Sequence, residues 1–350
     1  MEKENQQQPL SLPEIWQTTS LRITDEFPSP PIVLRVDDSI IGTLGNFSAS
    51  TGKAKSKKTF NICAIVASAL SNGTVLNYRA SLPESKRKII YIDTEQSKFH
   101  CKRVLKRILA LAEIPDNEHP ENLKFHCLRR LTPQMRLSVI ENAIYNTENL
   151  GLVVIDGIRD LAYDINSPSE STNLITKLMQ WTDERQIHIH TVLHLNKGND
   201  NTRGHLGTEL NNKAETVLQI TKDEFDKDIS SVTAMFIRDR DFEPFAFRIN
   251  ENSLPELIED YQPKKSEKKQ TFDYREVSEE KHREALEQVF SIGESLSYST
   301  LIERLKKCYS SVCCEFGNTK AKQLKQFLCN KRMIVQGMDK LYRYNPDFYY

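Results

Sequence analysis

The chain has 350 residues, 38% hydrophobic and 27% charged, with 48 Lys and Arg balanced by 48 Asp and Glu. That length exceeds one ordinary folded unit, and the cancelled charge removes overall basicity as an argument for a nucleic-acid or membrane partner, so only local clusters can argue for one. No stretch approaches the roughly 20 apolar residues of a membrane span, the opening MEKENQQQPLSLPEIW lacks a signal peptide's apolar segment, and seven cysteines without metal or redox spacing suit a reducing, cytoplasmic location, with adjacent Cys313 and Cys314 read as buried small residues.

Residues 1–37 scatter apolar residues among Pro9, Pro13, Pro28, Pro30 and Pro31, and read as an arm lying over a neighbouring surface. From 38 to 261, β-type runs alternate with helical patterns: SIIGTLGNF, a helix over 58–71, KIIYIDT, a helix over 97–112, LKFHCL, a helix over 133–146, GLVVIDG, a helix over 169–185, then HIHTVLHL. Strict alternation predicts an α/β fold, a mostly parallel sheet covered on both faces. ETVLQIT, SVTAMFI and FAFRI follow without long helices between them and are expected to extend one edge in antiparallel fashion. Residues 262–284 are almost all polar and read as a linker. In 285–350, three helical patterns precede VQGMDKLYRYNP, a short hairpin pattern; three helices and a hairpin predict a winged helix.

The stretch TGKAKSKKTF, residues 51–60, is either a solvated basic loop or a phosphate cradle. The P-loop pattern G-x-x-x-x-G-K-[ST] surrounds phosphates with backbone N–H groups, sends its Lys to the outer phosphates and uses its hydroxyl on Mg²⁺. Aligned on Gly52, the cradle spans Gly52, Lys53, Ala54, Lys55, Ser56, Lys57, Lys58, Thr59 and Phe60. Only the second glycine fails, replaced by Lys57. Positive φ at a residue with a Cβ costs about 1–2 kcal/mol. The loop follows an apolar run and opens a helix, as phosphate binding requires.

Two strand ends supply carboxylates. GLVVIDG ends in Asp156, placed either to hold Mg²⁺ beside the loop or to cap a strand end. KIIYIDTEQ ends in Asp93, Thr94 and Glu95; Glu95 is a candidate to polarise an attacking water, while Thr94 or Asp93 caps the next helix.

YIDTE resembles the segment of RecA-like recombinases and hexameric helicases whose Glu is the catalytic base. The order of loop, strand-Glu and strand-Asp over residues 38–250 is similar to the RecA-like P-loop ATPase core, and within it to the RepA-type helicases of plasmids and mobile elements. This resemblance implies ATP and Mg²⁺ as cofactors, with Lys58 on phosphate, Thr59 and Asp156 on the metal, and Glu95 as base. It also implies a γ-phosphate sensor at His194 or Asn196 in HTVLHLNKGNDNTRG, and a phosphate or neighbour contact at Arg203, although His205 stands where that loop commonly has Ser. His188 and His190 read as structural. The implied function is an ATPase acting on DNA, single-stranded or duplex, in replication or mobilisation of such an element, as a homo-oligomer such as a hexameric ring.

Arg238 and Arg240, in FIRDRDFEPFAFRI, read as surface ion-pair partners of Asp239 or Asp241 before they read as arginines reaching a neighbour's phosphate. Between 285 and 350, 10 Lys or Arg face 6 Asp or Glu, a net charge of 10 − 6 = +4, with Lys320, Lys322, Lys325, Lys331 and Arg332 around the third helix. That helix is a candidate DNA face or a solvated one. Tyr342 and Tyr344 stack or pack. Lys53 after Gly52 raises partition-type ATPases as a rival, opposed by the Gly-poor AKSK. Lys57 raises another, a nucleotide-gated DNA-binding regulator that hydrolyses little ATP. A small-molecule kinase lacks a visible second-substrate lid.

Overall fold

The computed structural model describes residues 11–195, 204–223, 226–259, 261, 273–291, 293–311 and 315–348. The chain forms two compact units, Met1–Gln262 and Pro263–Tyr350.

In the first unit the strands are β1 (Ile32–Val36), β2 (Ser39–Thr43), β3 (Phe47–Gly52), β4 (Thr74–Val75), β5 (Tyr78–Ala80), β6 (Lys88–Asp93), β7 (Leu123–Cys127), β8 (Leu150–Asp156), β9 (His188–His194), β10 (Thr216–Lys222), β11 (Ile229–Ile237), β12 (Phe245–Ile249) and β13 (Pro255–Ile258). The helices are α1 (Leu12–Thr18), α2 (Lys58–Ser71), α3 (Lys98–Leu111), α4 (Pro133–Tyr145), α5 (Pro168–Arg185) and α6 (Gly204–Lys213). The large sheet runs β13-β12-β11-β10-β3-β9-β8-β6-β7 among the described residues. From β10 to β7 all pairings are parallel; β11, β12 and β13 add an antiparallel edge. The fold is thus the expected α/β one with a mostly parallel sheet. Two local expectations change: β10 runs parallel to β3 before the antiparallel edge begins, and β13 carries a Pro and no apolar alternation to mark it.

Helices cover both faces. One core joins α2 and α3 to the sheet through Ile62, Ile65, Val104 and Ile108; the other joins α4, α5 and α6 through Ile140, Leu178, Trp181 and Leu206. Helix α2 is buried from Asn61 to Leu70, because a second sheet, β2-β1-β5-β4, packs Val33, Leu34, Ile41 and Tyr78 into the same core. A helix apolar all round is a helix covered on all sides.

That second sheet corrects one expectation. SIIGTLGNF is not the strand leading into the basic loop. Ser39–Thr43 belongs to the small sheet, and the strand before the loop is β3, FSASTG, buried throughout. Likewise Ile32–Val36, expected as the end of the arm, pairs with β2 and β5. Residues 11–31 are exposed, and α1 is fixed by Ser11 and Glu14, whose carboxylate accepts from the Ser11 N–H at 2.7 Å.

The second unit holds α7 (Glu279–Val289), α8 (Tyr298–Ser310), α9 (Asn318–Asn330) and the antiparallel pair β14 (Ile334–Gln336) and β15 (Tyr342–Tyr344). Leu286, Leu301, Leu305, Leu324 and Met333 form its core, where Tyr342 is buried and Tyr344 packs alongside. Helix α7 starts inside the stretch expected as linker, because Val277 is buried and Ser278 caps the helix. Cys313, Cys314 and 262–272 lie outside the described residues.

Candidate functional site

The site is built where β3, β6, β8 and β9 end. Gly52 closes β3, and a Cβ there would stand 2.4 Å from both the Ile220 carbonyl oxygen and Ser56 Oγ, so only glycine fits. Lys57 adopts φ 65° and ψ 28° at the N-cap of α2, the left-handed conformation a glycine would take without strain. Its Nζ stands 3.8 Å from Asp228 Oδ1 and has no hydrogen-bond partner among the described residues. Burial lowers its pKa, against the pull of Asp228.

Lys58 opens α2 with its side chain turned back under the loop. Nζ donates to the carbonyls of Gly52 and Lys53, both at 2.9 Å. Burial brings its pKa down to about 8, opposed by Asp156 and Glu95. Thr59 donates to Asp156 Oδ2 at 3.2 Å, and Tyr91 donates to the same oxygen at 2.9 Å. Burial, then the neighbouring Asp93, raises Asp156 to about 6. Strands β3 and β8 are not adjacent; β9 lies between them, yet Asp156 still reaches the first turn of α2.

Neither Asp93 nor Thr94 caps α3, whose N-cap is Ser97; Asp93 instead closes the turn before it, accepting from the N–H of Glu95 at 2.9 Å, the N–H of Gln96 at 2.6 Å and Gln96 Nε2 at 2.7 Å. This leaves Glu95 turned outward, its side chain 67% exposed, with Oε2 3.9 Å from His194 Nε2. The His194 ring lowers the Glu95 pKa more than burial raises it, and Lys58 and Arg159 add to the lowering. Register places His194 opposite Gly52 across the β3–β9 pair.

Beneath this rim runs a fully buried polar chain. His188 Nδ1 is 2.9 Å from the Thr43 carbonyl, which only accepts, so Nδ1 carries the proton and Nε2 accepts from Ser48 Oγ at 2.7 Å. Ser48 has then spent its proton, so His190 Nδ1 donates to it at 2.8 Å, and His190 Nε2 accepts from Ser50 Oγ at 2.9 Å. Both rings are neutral in this chain. Burial accordingly lowers both pKa values, His190 to about 3. These contacts tie β3 to β9 at the register that sets Gly52 against His194.

One residue without a sequence signal holds the acid side together. Arg136, on α4, donates to the carbonyls of Leu128 at 3.1 Å, Asp160 at 2.7 Å, Thr94 at 3.2 Å and Arg129 at 3.0 Å. Tyr91 was equally hidden, one more aromatic in an apolar strand; its position two residues before Asp93 is the only hint.

Lys55, Ser56, Lys57, Lys58, Thr59 and Phe60 line one cavity of about 370 Å³, together with Glu95, Asp156 and His194. Gly52, Lys53 and Ala54 form the approach to it from β3. Asn196 and Arg203 lie outside the described residues. Arg238 donates to the Lys213 carbonyl at 3.1 Å and Asp239 accepts from the Ile40 N–H at 2.8 Å, in place of the expected ion pair. The cavity suits phosphates and Mg²⁺: Ser56 Oγ and Lys57 Nζ are buried donors without partners among the described residues, and Thr59 with Asp156 is an all-oxygen pair. No group of three or more His, Cys, Asp or Glu that could hold a metal occurs among the described residues.

A family profile described as AAA domain matches residues 17–200. No curated protein matches the sequence. Among solved structures, a KaiC-like protein of the hyperthermophilic archaeon Pyrococcus horikoshii OT3 is similar at 13% identity and a TM-score of 0.45, over 61% of this chain and 90% of that one. A RadB recombinase is similar at 16% identity and a TM-score of 0.42, over 60% and 89%.

Proposed function

The chain belongs to the AAA-domain family, and from that premise we propose that it binds and hydrolyses ATP with Mg²⁺ and couples this to work on DNA. The observation that carries the reading is the meeting of Lys58, Thr59 and Asp156 at the end of β3, with Thr59 and Asp156 3.2 Å apart. Bound Mg²⁺–ATP supplies the transferable phosphoryl group and a metal that neutralises its charge. Lys58, now on two carbonyls, would hold phosphate oxygens, and the loop N–H groups with Ser56 and Lys57 would complete the cradle. Thr59 and Asp156 would hold the metal. Glu95 orients a water and takes its proton. His194, beside Glu95 and opposite Gly52, senses whether the outer phosphate is present; Arg203 is assigned to phosphate or a neighbouring subunit.

The finer reading is a RepA-type, helicase-like ATPase of a plasmid or mobile element, a cytoplasmic oligomer such as a hexameric ring, whose second unit is a winged helix reading duplex DNA through α9. Supporting it are YIDTE, the order of the three site segments, and the three helices with hairpin. ATP turnover measured alone, with single-stranded DNA and with duplex tests this: stimulation by DNA is expected, and a turnover indifferent to both removes the motor. Glu95→Gln is expected to retain ATP and lose hydrolysis; parental turnover in that variant places the base elsewhere.

Lys57 favours a second reading, a nucleotide-gated DNA-binding switch. The half-buried Lys57 held in a glycine's conformation is the feature that favours it, and ATP retained without turnover in the parent protein would decide for it.

A further inference from the structure

Helix α3 contains Lys98, Lys102, Arg103, Lys106 and Arg107 and no acidic residue. At 100° per residue its buried side is Cys101, Val104, Ile108 and Leu109, while Lys98, Phe99, Lys102, Arg103 and Lys106 are exposed. The outward arc therefore carries four exposed cations and no acid, beside exposed His100 and Ala110, with Phe99, 70% exposed, near its middle. A merely solvated helix face mixes signs to gain i,i+4 pairs. Here Lys98–Lys102, Lys102–Lys106 and Arg103–Arg107 stand at that spacing as like charges, which weakens the helix. Lys106 is paired with Asp116, and Arg107 donates to the Ser253 carbonyl and stacks on Phe60. Lys98 and Arg103 have no such partner among the described residues, and Lys102 makes no ion pair or ring contact there, only adding to the field that Lys106 exerts on Asp116. The ridge also walls a groove of about 500 Å³, lined by Arg103, Lys106, Arg107, Asn252 and Ser253.

We propose that this ridge is a contact surface for single-stranded DNA, with the cations on successive phosphates and Phe99 as a stacking platform for a base. The inference rests on the DNA-coupled reading above and names a surface for it that is separate from α9. An exposed aromatic ring among cations selects a single strand, because bases paired in a duplex hide their faces. The length fits: Lys98 to Arg107 spans about 14 Å of helix, room for roughly two to three nucleotides. The position fits too, since α3 begins at its Ser97 cap, two residues beyond Glu95, and Arg103 and Arg107 reach the cavity that Glu95 lines. A strand lying on the ridge sits one short turn from the proposed base.

The test uses the full chain and fluorescence anisotropy with a labelled oligothymidylate and with a labelled duplex, alongside ATP turnover without DNA. Phe99→Ala is expected to weaken oligothymidylate binding roughly 5- to 100-fold, and Phe99→Tyr to restore it. Lys98→Ala with Lys102→Ala is expected to lower the salt slope of that binding by about 1.4, or 0.7 per cation. Duplex affinity and unstimulated turnover are expected to stay at parental values in all three. A parent that hydrolyses ATP but ignores oligothymidylate overturns the ridge and leaves the ATPase standing, as do variants that bind it like the parent. A parent that binds oligothymidylate through Phe99 but does not hydrolyse ATP supports the ridge and removes the ATPase.

Discussion

Helices α3 and α9 carry the same kind of charge and dispose of it differently. On α9, Lys320 lies 5.6 Å over the Tyr274 ring, and Lys325 lies 5.9 Å over Tyr298 and 5.2 Å over Tyr342, so two of the cations marked out by sequence serve their own unit. On α3, Lys98 and Arg103 have like-charged neighbours and no ring or carboxylate contact among the described residues, and Lys102 shares with Lys106 only the field of Asp116. Counting lysines does not separate cations that hold a unit together from cations left for a partner. Their immediate neighbours do.

The largest expected effect separates both helices from the nucleotide. Lys58→Ala should reduce ATP turnover about 100-fold or more, since it deletes the inward cation of the loop, while oligothymidylate affinity without nucleotide stays at its parental value. Loss of both would merge the ridge with the cradle, and loss of neither would remove the P-loop assignment. Next comes acid sensitivity, which belongs to β3 and β9 and to neither helix. His190 is held neutral, its pKa about 3 in the fold and near 6.5 in the unfolded chain. The unfolded state therefore takes up a proton that the fold refuses, and stability falls as pH drops below about 6.5, by about 2 kcal/mol at pH 5. Denaturant titrations at several pH values should show a shallower decline for His190→Asn than for the parent; equal slopes would mean that the ring titrates freely.

The two smallest effects set the helices directly against each other. Lys325→Ala should destabilise the second unit by about 1 kcal/mol through loss of its aromatic seat. Lys102→Ala should stabilise α3 by about 0.5 kcal/mol, because it relieves repulsion from Lys98 and Lys106. Thermal melts of the two variants should shift in opposite directions, and shifts of one sign would erase the distinction.

The legible parts of this molecule are those where chemistry and periodicity agree. KIIYIDTE and GLVVIDG announce buried strands through unbroken apolar runs and then break character at a carboxylate, which is why Glu95 and Asp156 could be marked in advance. Helices α2 to α5 follow their apolar spacing. Strand β3 was hidden because FSASTG looks like a loop: though buried on both faces, it carries Ser48, Ser50 and Thr51, polar groups satisfied by His188, His190 and the Leu218 carbonyl from strands far away in sequence. The same pairing explains His188 and His190, two of the three histidines of β9. Arg136 was illegible for another reason. Its partners are backbone carbonyls, and a carbonyl has no letter.

The four carbonyls gathered by Arg136 belong to the turn before α3, the connection after β7 and the segment after β8. One planar group thus acts as a rivet through three strand ends, and any displacement of one must carry the other two. Side-chain movement during a nucleotide cycle is therefore cheapest on the opposite flank, around Lys57 and His194, whose side-chain ion contacts are single and long. The carboxylate flank is the anvil of this site, and the lysine flank is the part free to strike.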